Sequence, residues 1–325
     1  MAVAILFGTF FLLLLIGVPV AFSLVTASLS TVLYLGLPSV AVVLQTAAGA
    51  STASLIAIPL FIFAGELMMR GGISDRLIAF AAALVGKAKG GLAQINVLAS
   101  LFFGGVSGSA IADVSAIGGT MIPQMVNRGY HRDFAVAASV SAALVALLVP
   151  PSHNLILYSA SAGGSISIAD LFAAGIVPAL LLTSALMITS RIIAGRRGYA
   201  AEGFPGFAAV LARMVAALPG LLLVALIFVG IRAGIFTAIE SAAIAVGYAT
   251  LVTGIVYRRL DRAVFREAVT GAARTAGLIL FVIGAAASFG WLLAYLQVPA
   301  AAVELLTSIT DNKIGILLLL NIVLL

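Results

Sequence analysis

Apolar residues run along the chain in long, nearly unbroken stretches, separated by short segments that are polar or rich in glycine and proline. Most stretches approach the ~20 residues that a helix needs to cross the hydrocarbon core of a bilayer. Their continuity differs from the weak alternation, over ~10 residues, of a membrane β-barrel. We therefore predict an all-α polytopic membrane protein with apolar segments at 2–18, 20–36, 53–69, 91–105, 111–126, 134–160, 168–190, 214–231, 237–257, 275–296 and 314–325.

The composition excludes a soluble globular protein. Of the 325 residues, 63% are hydrophobic and 9% are charged, whereas soluble domains contain ~25% charged residues. The chain has no cysteine and only two histidines, so we expect no disulfide framework and no histidine-rich metal centre. The net charge of +6 is explained by membrane topology, without a nucleic-acid partner.

Basic residues concentrate in four polar regions. Fifteen of the 17 lysines and arginines follow the segments 53–69 and 111–126 or flank the loops 191–213 and 258–274. If all four regions are cytoplasmic, as the positive-inside rule favours, the N-terminus lies outside. This assignment requires the chain between 91 and 126 to enter and leave on the cytoplasmic side.

The segments 91–105 and 111–126 are each ~15 residues long, too short for ordinary spans. The residues between them, Gly104 to Ser109, are too polar and flexible for a turn that faces lipid. We predict a re-entrant helical hairpin over 91–126 whose tip is buried in protein or lines an aqueous cavity. The alternative is a pair of short full spans joined by a packing loop of small residues.

The second half of the chain repeats the spacing of the first half: the interval from Ile73 to Asn96 equals that from Val298 to Asn321. The arm 73–89 carries basic residues and its counterpart 299–313 carries acids, so the two halves have opposite orientations, as in many secondary transporters. The predicted first repeat, 1–200, comprises scaffold helices, the arm 73–89, the hairpin 91–126 and a broken helix, 134–160. The second repeat, 201–325, comprises the arm 299–313 and, at 314–325, only the start of a second hairpin. We therefore expect the chain to be a fragment that could not transport alone.

Polar residues at the hairpin tip indicate an ion or substrate site. Ser107, Gly108 and Ser109 supply hydroxyl groups and freed carbonyl groups at a helix break, and such oxygen ligands suit a hard cation such as Na⁺. Asp113 follows four residues later, and charged groups inside the bilayer are rare unless functional. The helix start near Ala110 could face a substrate carboxylate. Alternatively, Asp113 caps or pairs within the hairpin and the serines only pack.

A second break lies inside the long segment 134–160. Pro150 and Pro151 each remove a backbone donor and disrupt the helix. Freed carbonyl groups there, with Ser152 and Asn154, would complete an oxygen cage opposite the hairpin tip, so we predict Na⁺ ligands at Ser107, Gly108, Ser109 and Ser152. The alternative is a packing kink, and His153 is expected to be a satisfied core histidine.

Two further acids in apolar segments are predicted to be structural. Thr237 followed by Glu240 has the spacing of a capping box. Glu66 precedes Arg70 by four residues, which favours an ion pair on one helix.

Together these stretches resemble the large membrane subunit of tripartite ATP-independent periplasmic (TRAP) transporters over the whole length of the chain. The resemblance is carried by residues 58–65, 104–119, Pro123, Gly129, Tyr130, 150–154 and 234–237. One departure is Ala238, where the family usually has proline. The resemblance implies an elevator-type, Na⁺-coupled importer of organic acids, of the C4-dicarboxylate or sugar-acid type, in the bacterial inner membrane. It also implies a scaffold and a transport domain built on two hairpins, the first holding residues 107–109 and Asp113, with the break 150–154 facing it.

The implied partners are a small four-helix membrane subunit and a periplasmic substrate-binding protein, with Na⁺ as coupling ion and no cofactor. A rival from the same class is a two-component divalent-anion/Na⁺ symporter, and rivals from other classes are a channel or a membrane enzyme. No phosphate-binding G-x-x-x-x-G-K-[ST] motif is present in the sequence, so we predict no ATPase activity in this chain. No catalytic constellation stands out either, so we predict that the protein is not an enzyme.

Overall fold

The computed structural model describes residues 1–85, 90–162, 165–199, 203, 205–310 and 312–324. These residues form helices and no strand. The helices are α1 (Ala2–Leu15), α2 (Val20–Tyr34), α3 (Val40–Ala50), α4 (Ala57–Arg70), α5 (Ile73–Val85), α6 (Gly91–Ser107), α7 (Ala110–Asp113), α8 (Gly119–Asn127), α9 (Arg132–Ala143), α10 (His153–Ser161), α11 (Ile168–Arg196), α12 (Phe207–Arg232), α13 (Ala238–Leu251), α14 (Arg262–Tyr295), α15 (Val298–Ile309) and α16 (Lys313–Leu324). Tighter 3₁₀ turns lie at Ala53–Ile56 and Leu144–Leu147, and wider π turns lie at Val114–Gly118 and Val252–Val256.

The polytopic all-α prediction is confirmed in the part of the chain that the structure describes. Five of its helical stretches are long and apolar enough to cross a membrane: Ala53–Arg70, Ile168–Arg196, Phe207–Arg232, Ala238–Val256 and Arg262–Tyr295. The long apolar run 134–160 is divided between α9 and α10, so the predicted break is present.

Two elements differ from the prediction. Helix α3 was missed because its 11 residues are too few to stand out as a span. Helix α14 begins at Arg262 and not near 275, so the predicted loop 258–274 is wrong over most of its length. The reason is a cap: Asp261 Oδ1 accepts a hydrogen bond from the Val264 amide at 2.7 Å, and the helix starts there despite its charged first turns.

Some predictions fall outside the described residues. They concern positions 86–89 of the arm 73–89, position 311 of the arm 299–313, and position 325. The division into repeats 1–200 and 201–325 remains a prediction.

One compact unit consists of Met1–Thr52 with Gly277–Leu325. Its core is apolar: Phe289, on the second half of α14, contacts Phe7 and Phe10 on α1 with ring centroids 5.8 and 5.5 Å apart. Small residues bring α3 close to α14, since a β-carbon added to Gly284 would lie 2.6 Å from the Thr46 carbonyl oxygen. Close approach through small residues is typical of helix packing in membranes.

The second compact unit is Ala53–Ala276 and is built around α6. Most of α6 is buried, by packing against α4, α5, α9, α11 and α12. Gln94 is buried near its start and donates a hydrogen bond through Nε2 to the Met187 carbonyl oxygen on α11 at 2.6 Å. A helix enclosed in this way can end inside the unit, because its terminal polar groups meet protein and not lipid.

Candidate functional site

The predicted hairpin turns at Gly108 and Ser109. Helix α6 ends at Ser107, and Gly108 adopts a left-handed conformation (φ 59°) while its amide donates to the Gly104 carbonyl oxygen at 2.8 Å. Glycine takes this conformation without the steric cost that a side chain adds. Ser109 is extended and caps α7, its Oγ accepting a hydrogen bond from the Ala112 amide at 3.4 Å. The sequence therefore places the turn where glycine and a capping serine permit it.

The hairpin tip directly contacts the second helix break. After the 3₁₀ turn Leu144–Leu147 the chain is not helical again until α10 begins at His153. A β-carbon added to Gly108 would collide with the Pro151 carbonyl oxygen and would lie 3.3 Å from the Ser152 Cα. The two breaks that the sequence identifies separately are therefore neighbours in space, as the prediction of facing breaks requires.

Several oxygen atoms with free lone pairs surround this contact. Ser107 is buried and its Oγ accepts a 3.4 Å hydrogen bond from the Ser109 amide. Ser152 is completely buried and its Oγ donates to the Leu147 carbonyl oxygen at 2.6 Å, which leaves its lone pairs available. Pro150 and Pro151 are also buried at the break, whereas Asn154, in the first turn of α10, is exposed.

Asp113 lies deeper in the hairpin than the tip. Its carboxylate is buried, and Oδ2 accepts a hydrogen bond from Ser100 Oγ at 2.7 Å. Ser100 precedes Ser107 by seven residues, about 10 Å along α6. The structure thus pairs Asp113 within the hairpin, as the alternative interpretation expected. The other carboxylate oxygen, Oδ1, has no hydrogen-bond partner among the described residues, and none of their cations forms an ion pair with it.

Sequence reasoning missed the polar residues that line the hairpin. Asn96 and Ser100 are one helical turn apart and occupy the same side of α6. Asn96 donates through Nδ2 to Ser139 Oγ on α9 at 2.8 Å, while its buried Oδ1 has no partner in the described structure. Their four-residue spacing inside an apolar run was the available signal. His153 is buried as expected, but its Nε2 has no partner among the described residues, so it is not fully satisfied.

Both structural predictions for the remaining acids are confirmed. Thr237 and Glu240 form a capping box: the Thr237 amide donates to the Glu240 carboxylate at 2.7 Å, and the Glu240 amide donates to Thr237 Oγ1 at 3.3 Å. Glu66 pairs with Arg70 at 3.0 Å. Arg70 also pairs with Glu267 at 2.6 Å, which the sequence alone did not indicate.

An apolar cavity of about 310 Å³ lies behind the hairpin. Its lining includes Leu101 and Gly105 of α6, Pro150 of the break and Phe228 of α12. Without polar side chains it does not suit an organic acid anion, so the contact between tip and break is the better candidate site.

Interrupted helices that meet at a buried polar contact inside a polytopic helical protein are typical of membrane transport proteins. Residues 7–325 match the family described as tripartite ATP-independent periplasmic transporter, DctM component. The chain belongs to this family, which confirms the resemblance. It is therefore a transport protein and not an enzyme, and it is a multi-pass protein of the bacterial inner membrane.

Curated relatives carry matching names. The chain is 32% identical over 313 residues to the 2,3-diketo-L-gulonate TRAP transporter large permease protein YiaN of Escherichia coli (strain K12), covering 96% of the chain and 73% of the relative. It is 34% identical over 314 residues to the sialic acid TRAP transporter large permease protein SiaM of Vibrio cholerae, with 96% and 73% covered. It is 32% identical over 340 residues to the C4-dicarboxylate TRAP transporter large permease protein DctM of Rhodobacter capsulatus, with 100% and 77% covered.

Proposed function

We propose that this chain is the large membrane subunit of a Na⁺-coupled importer of small organic acid anions. It would act with a small four-helix membrane subunit and a periplasmic binding protein that delivers the substrate. The three relatives named above are designated for 2,3-diketo-L-gulonate, sialic acid and C4-dicarboxylates, all of which are carboxylic acids. This common chemistry supports an organic acid anion as the substrate here.

The observation that carries the proposal is the contact between the hairpin tip and the helix break. Na⁺ would bind oxygen atoms of Ser107, Gly108, Ser109 and Ser152, because these are the hydroxyl and freed carbonyl groups gathered there. The last carbonyl groups of α6 have no intrahelical partner, and they carry the negative end of the helix dipole. Hydroxyl and carbonyl oxygens at such a terminus suit a hard cation.

The substrate carboxylate would bind on the other side of the same contact. Helix α10 begins at His153, and its first amide groups lie beside the break without a side-chain cap. Free amide groups at a helix N-terminus favour an anion. Ordering of the tip by Na⁺ would complete this anion site, so the two binding events would be coupled in free energy.

Orientation and movement are further parts of the proposal. The distribution of arginine and lysine supports a periplasmic N-terminus and inverted repeats, and the family resemblance supports an elevator movement of the hairpin domain across the membrane. Each Na⁺ that enters contributes ~2.3 kcal/mol per 100 mV of membrane potential.

Reconstitution of the whole transporter in liposomes, together with the two partner proteins, tests the coupling. We expect uptake of the organic acid to require an inward Na⁺ gradient and the binding protein. Uptake that is unchanged when choline replaces Na⁺ would refute the Na⁺-coupled mechanism. Uptake without the binding protein would instead favour the two-component symporter.

A pair of serine variants tests the site. Ser152→Ala removes a buried hydroxyl at the contact, and we expect it to raise the Na⁺ concentration for half-maximal uptake about tenfold, as the loss of one buried oxygen ligand worth ~1.4 kcal/mol would do. Ser184→Ala is the matched control, since Ser184 Oγ also donates to a backbone carbonyl, that of Leu180 at 2.7 Å, but is exposed on α11. Equal Na⁺ dependence in the two variants would exclude Ser152 as a ligand.

A further inference from the structure

Two arginine side chains meet at the turn between α4 and α5. A β-carbon added to Gly72 would lie 2.5 Å from Arg259 Nη1 and 3.2 Å from Arg76 Nη1, so both guanidinium groups lie against the same glycine. Arg76 is fixed there, since its Nη1 donates to the Gly72 carbonyl oxygen at 2.7 Å and its Cζ lies 3.6 Å from the centre of the Tyr257 ring. Cation–π stacking of this kind fixes the guanidinium plane while its other N–H groups remain free.

No carboxylate among the described residues forms an ion pair with either arginine. The nearby Asp261 accepts the amide that caps α14, and Asp75 is exposed in the first turn of α5. By contrast Arg70, at the end of α4, has two carboxylate partners. Two unpaired positive charges at one turn repel each other, so an anion bound between them would be stabilised by both.

Further features of the same turn favour an anion. Ser74 lies in the first turn of α5, and its buried Oγ has no hydrogen-bond partner among the described residues. The N-terminus of α5 carries the positive end of its helix dipole. Arg258 and Arg262 flank Arg259 and are exposed. Arginine binds phosphate through two parallel N–H groups, which makes a phosphate group the ligand that fits this chemistry best.

The surroundings indicate a phospholipid as the source of that phosphate. Helix α14 has 34 residues, which is about 51 Å and exceeds the ~30 Å hydrocarbon core. Its charged first turns therefore lie at the level of the lipid headgroups when the apolar remainder spans the bilayer. Phe265 is 45% exposed and Val269 is 40% exposed on these turns, and Ile255 is 69% exposed in the π turn that follows α13. Exposed apolar side chains beside unpaired arginines match an amphiphile and not a soluble phosphate.

We propose that Arg76 and Arg259 form a binding site for the phosphate group of an anionic phospholipid in the cytoplasmic leaflet. Clusters of basic residues immediately cytoplasmic of a membrane helix bind anionic lipids, with ~1 kcal/mol for each residue near the surface. The site depends on the cytoplasmic location of these arginines and not on Na⁺ coupling or on the identity of the transported acid. Its failure would therefore leave the proposed transport function standing.

Native mass spectrometry of the purified chain in mild detergent tests the site. The probes are dioleoylphosphatidylglycerol and its zwitterionic counterpart dioleoylphosphatidylcholine. We expect preferential retention of phosphatidylglycerol, and a loss of about fivefold per arginine, hence about 25-fold in Arg76→Gln/Arg259→Gln. The charge-matched control is Arg191→Gln/Arg274→Gln, which removes two exposed basic residues elsewhere and should reduce retention less than twofold.

Three results would overturn the proposal. They are equal retention of the two lipids, an equal loss in the control variant, and complete displacement of the lipid by an equal concentration of glycerol phosphate, which would identify a soluble phosphate as the ligand. If the double variant does not fold, Arg259→Gln alone decides the question. The Arg259 side chain is exposed and forms no hydrogen bond that the structure describes, and the backbone amide that donates to the Thr253 carbonyl oxygen is kept in the variant. This variant should therefore fold and should still bind the lipid about fivefold more weakly.

Discussion

Replacing Gly108 by alanine perturbs the hairpin tip in two separable ways. The residue has a left-handed backbone (φ 59°), and an added β-carbon would collide with the Pro151 carbonyl oxygen. The first effect strains the turn whether or not the tip touches the break, and costs ~1–2 kcal/mol. The second effect exists only while tip and break are in contact.

The collision sets the expected magnitude. A backbone carbonyl group cannot move aside as a flexible side chain can, so relief requires the tip and the break to separate. Overpacking of this kind costs ~1–3 kcal/mol. If Na⁺ binds only when tip and break are together, this cost is subtracted from its binding free energy, which gives about 5- to 150-fold weaker Na⁺ affinity.

Gly129 provides the matched control. It also has a positive φ, 82°, at the turn between α8 and α9, but a β-carbon there would meet no atom within 4 Å. Gly129→Ala therefore shares the backbone strain and lacks the collision. Both variants should unfold at a lower temperature than the wild type, whereas only Gly108→Ala should change the Na⁺ dependence.

The assay is thermal unfolding of the purified protein across a range of Na⁺ concentrations, with choline as the replacement ion. Binding to the folded state stabilises it by ~2.7 kcal/mol at a concentration of 100 times the Kd. The Na⁺ midpoint should rise in Gly108→Ala and stay at the wild-type value in Gly129→Ala. An identical midpoint in all three proteins would refute the reasoning that joins the tip contact to Na⁺ binding.

Three smaller predictions follow. Ser100→Ala removes the described hydrogen-bond partner of the buried Asp113 carboxylate. We expect the free energy of unfolding, measured with heat or denaturant, to fall by ~1–3 kcal/mol. No loss would mean that another group replaces the serine. Thr237→Ala breaks the capping box with Glu240 and should lower the free energy of unfolding by ~1 kcal/mol, while the Na⁺ concentration at the midpoint of stabilisation stays unchanged. A changed midpoint would place Thr237 in the ion site. Tyr199→Phe removes a hydroxyl that accepts a hydrogen bond from the His131 amide at 3.0 Å but keeps the stacking of the ring on Tyr130. The free energy of unfolding should therefore fall by only ~0.5–1.5 kcal/mol. A larger loss would mean that the hydroxyl does more than accept this hydrogen bond.

The sequence was most informative where residue type restricts the backbone. Glycine at 108 and the proline pair at 150–151 determine where helices must stop, and both breaks were located from them. The capping box at Thr237 was equally accessible, because its two members are three residues apart on one helix. Such signals are local, and a single sequence contains them directly.

What could not be predicted depends on packing between distant segments. The start of α14 at Arg262 was missed because charge density suggested a loop, whereas a cap and contacts of Phe265 and Glu267 with α4 support a helix. The pairing of Asp113 with Ser100 depends on the angle between the two arms of the hairpin. The π turn at Val114–Gly118 adds a residue to one helical turn and changes which side chains of the second arm face the first. Sequence spacing alone cannot reveal this rotation.

The placement of the three acids in apolar segments bears on how ion and substrate binding would be coupled. Glu66 has a cationic partner and Glu240 serves as a cap at the surface, but Asp113 has only a hydroxyl partner among the described residues. In its ionised form, a carboxylate roughly 6–10 Å from the tip, as the rise of the two hairpin arms gives, acts on a charge there with roughly 2–3 kcal/mol at an effective dielectric constant of 20. It attracts a cation at the tip and repels an anionic substrate by the same amount. An organic acid would therefore bind the empty tip poorly, and a Na⁺ bound first would offset that repulsion. In the proposed mechanism, the charge that makes Asp113 costly to bury would thus impose the binding order that a symporter needs.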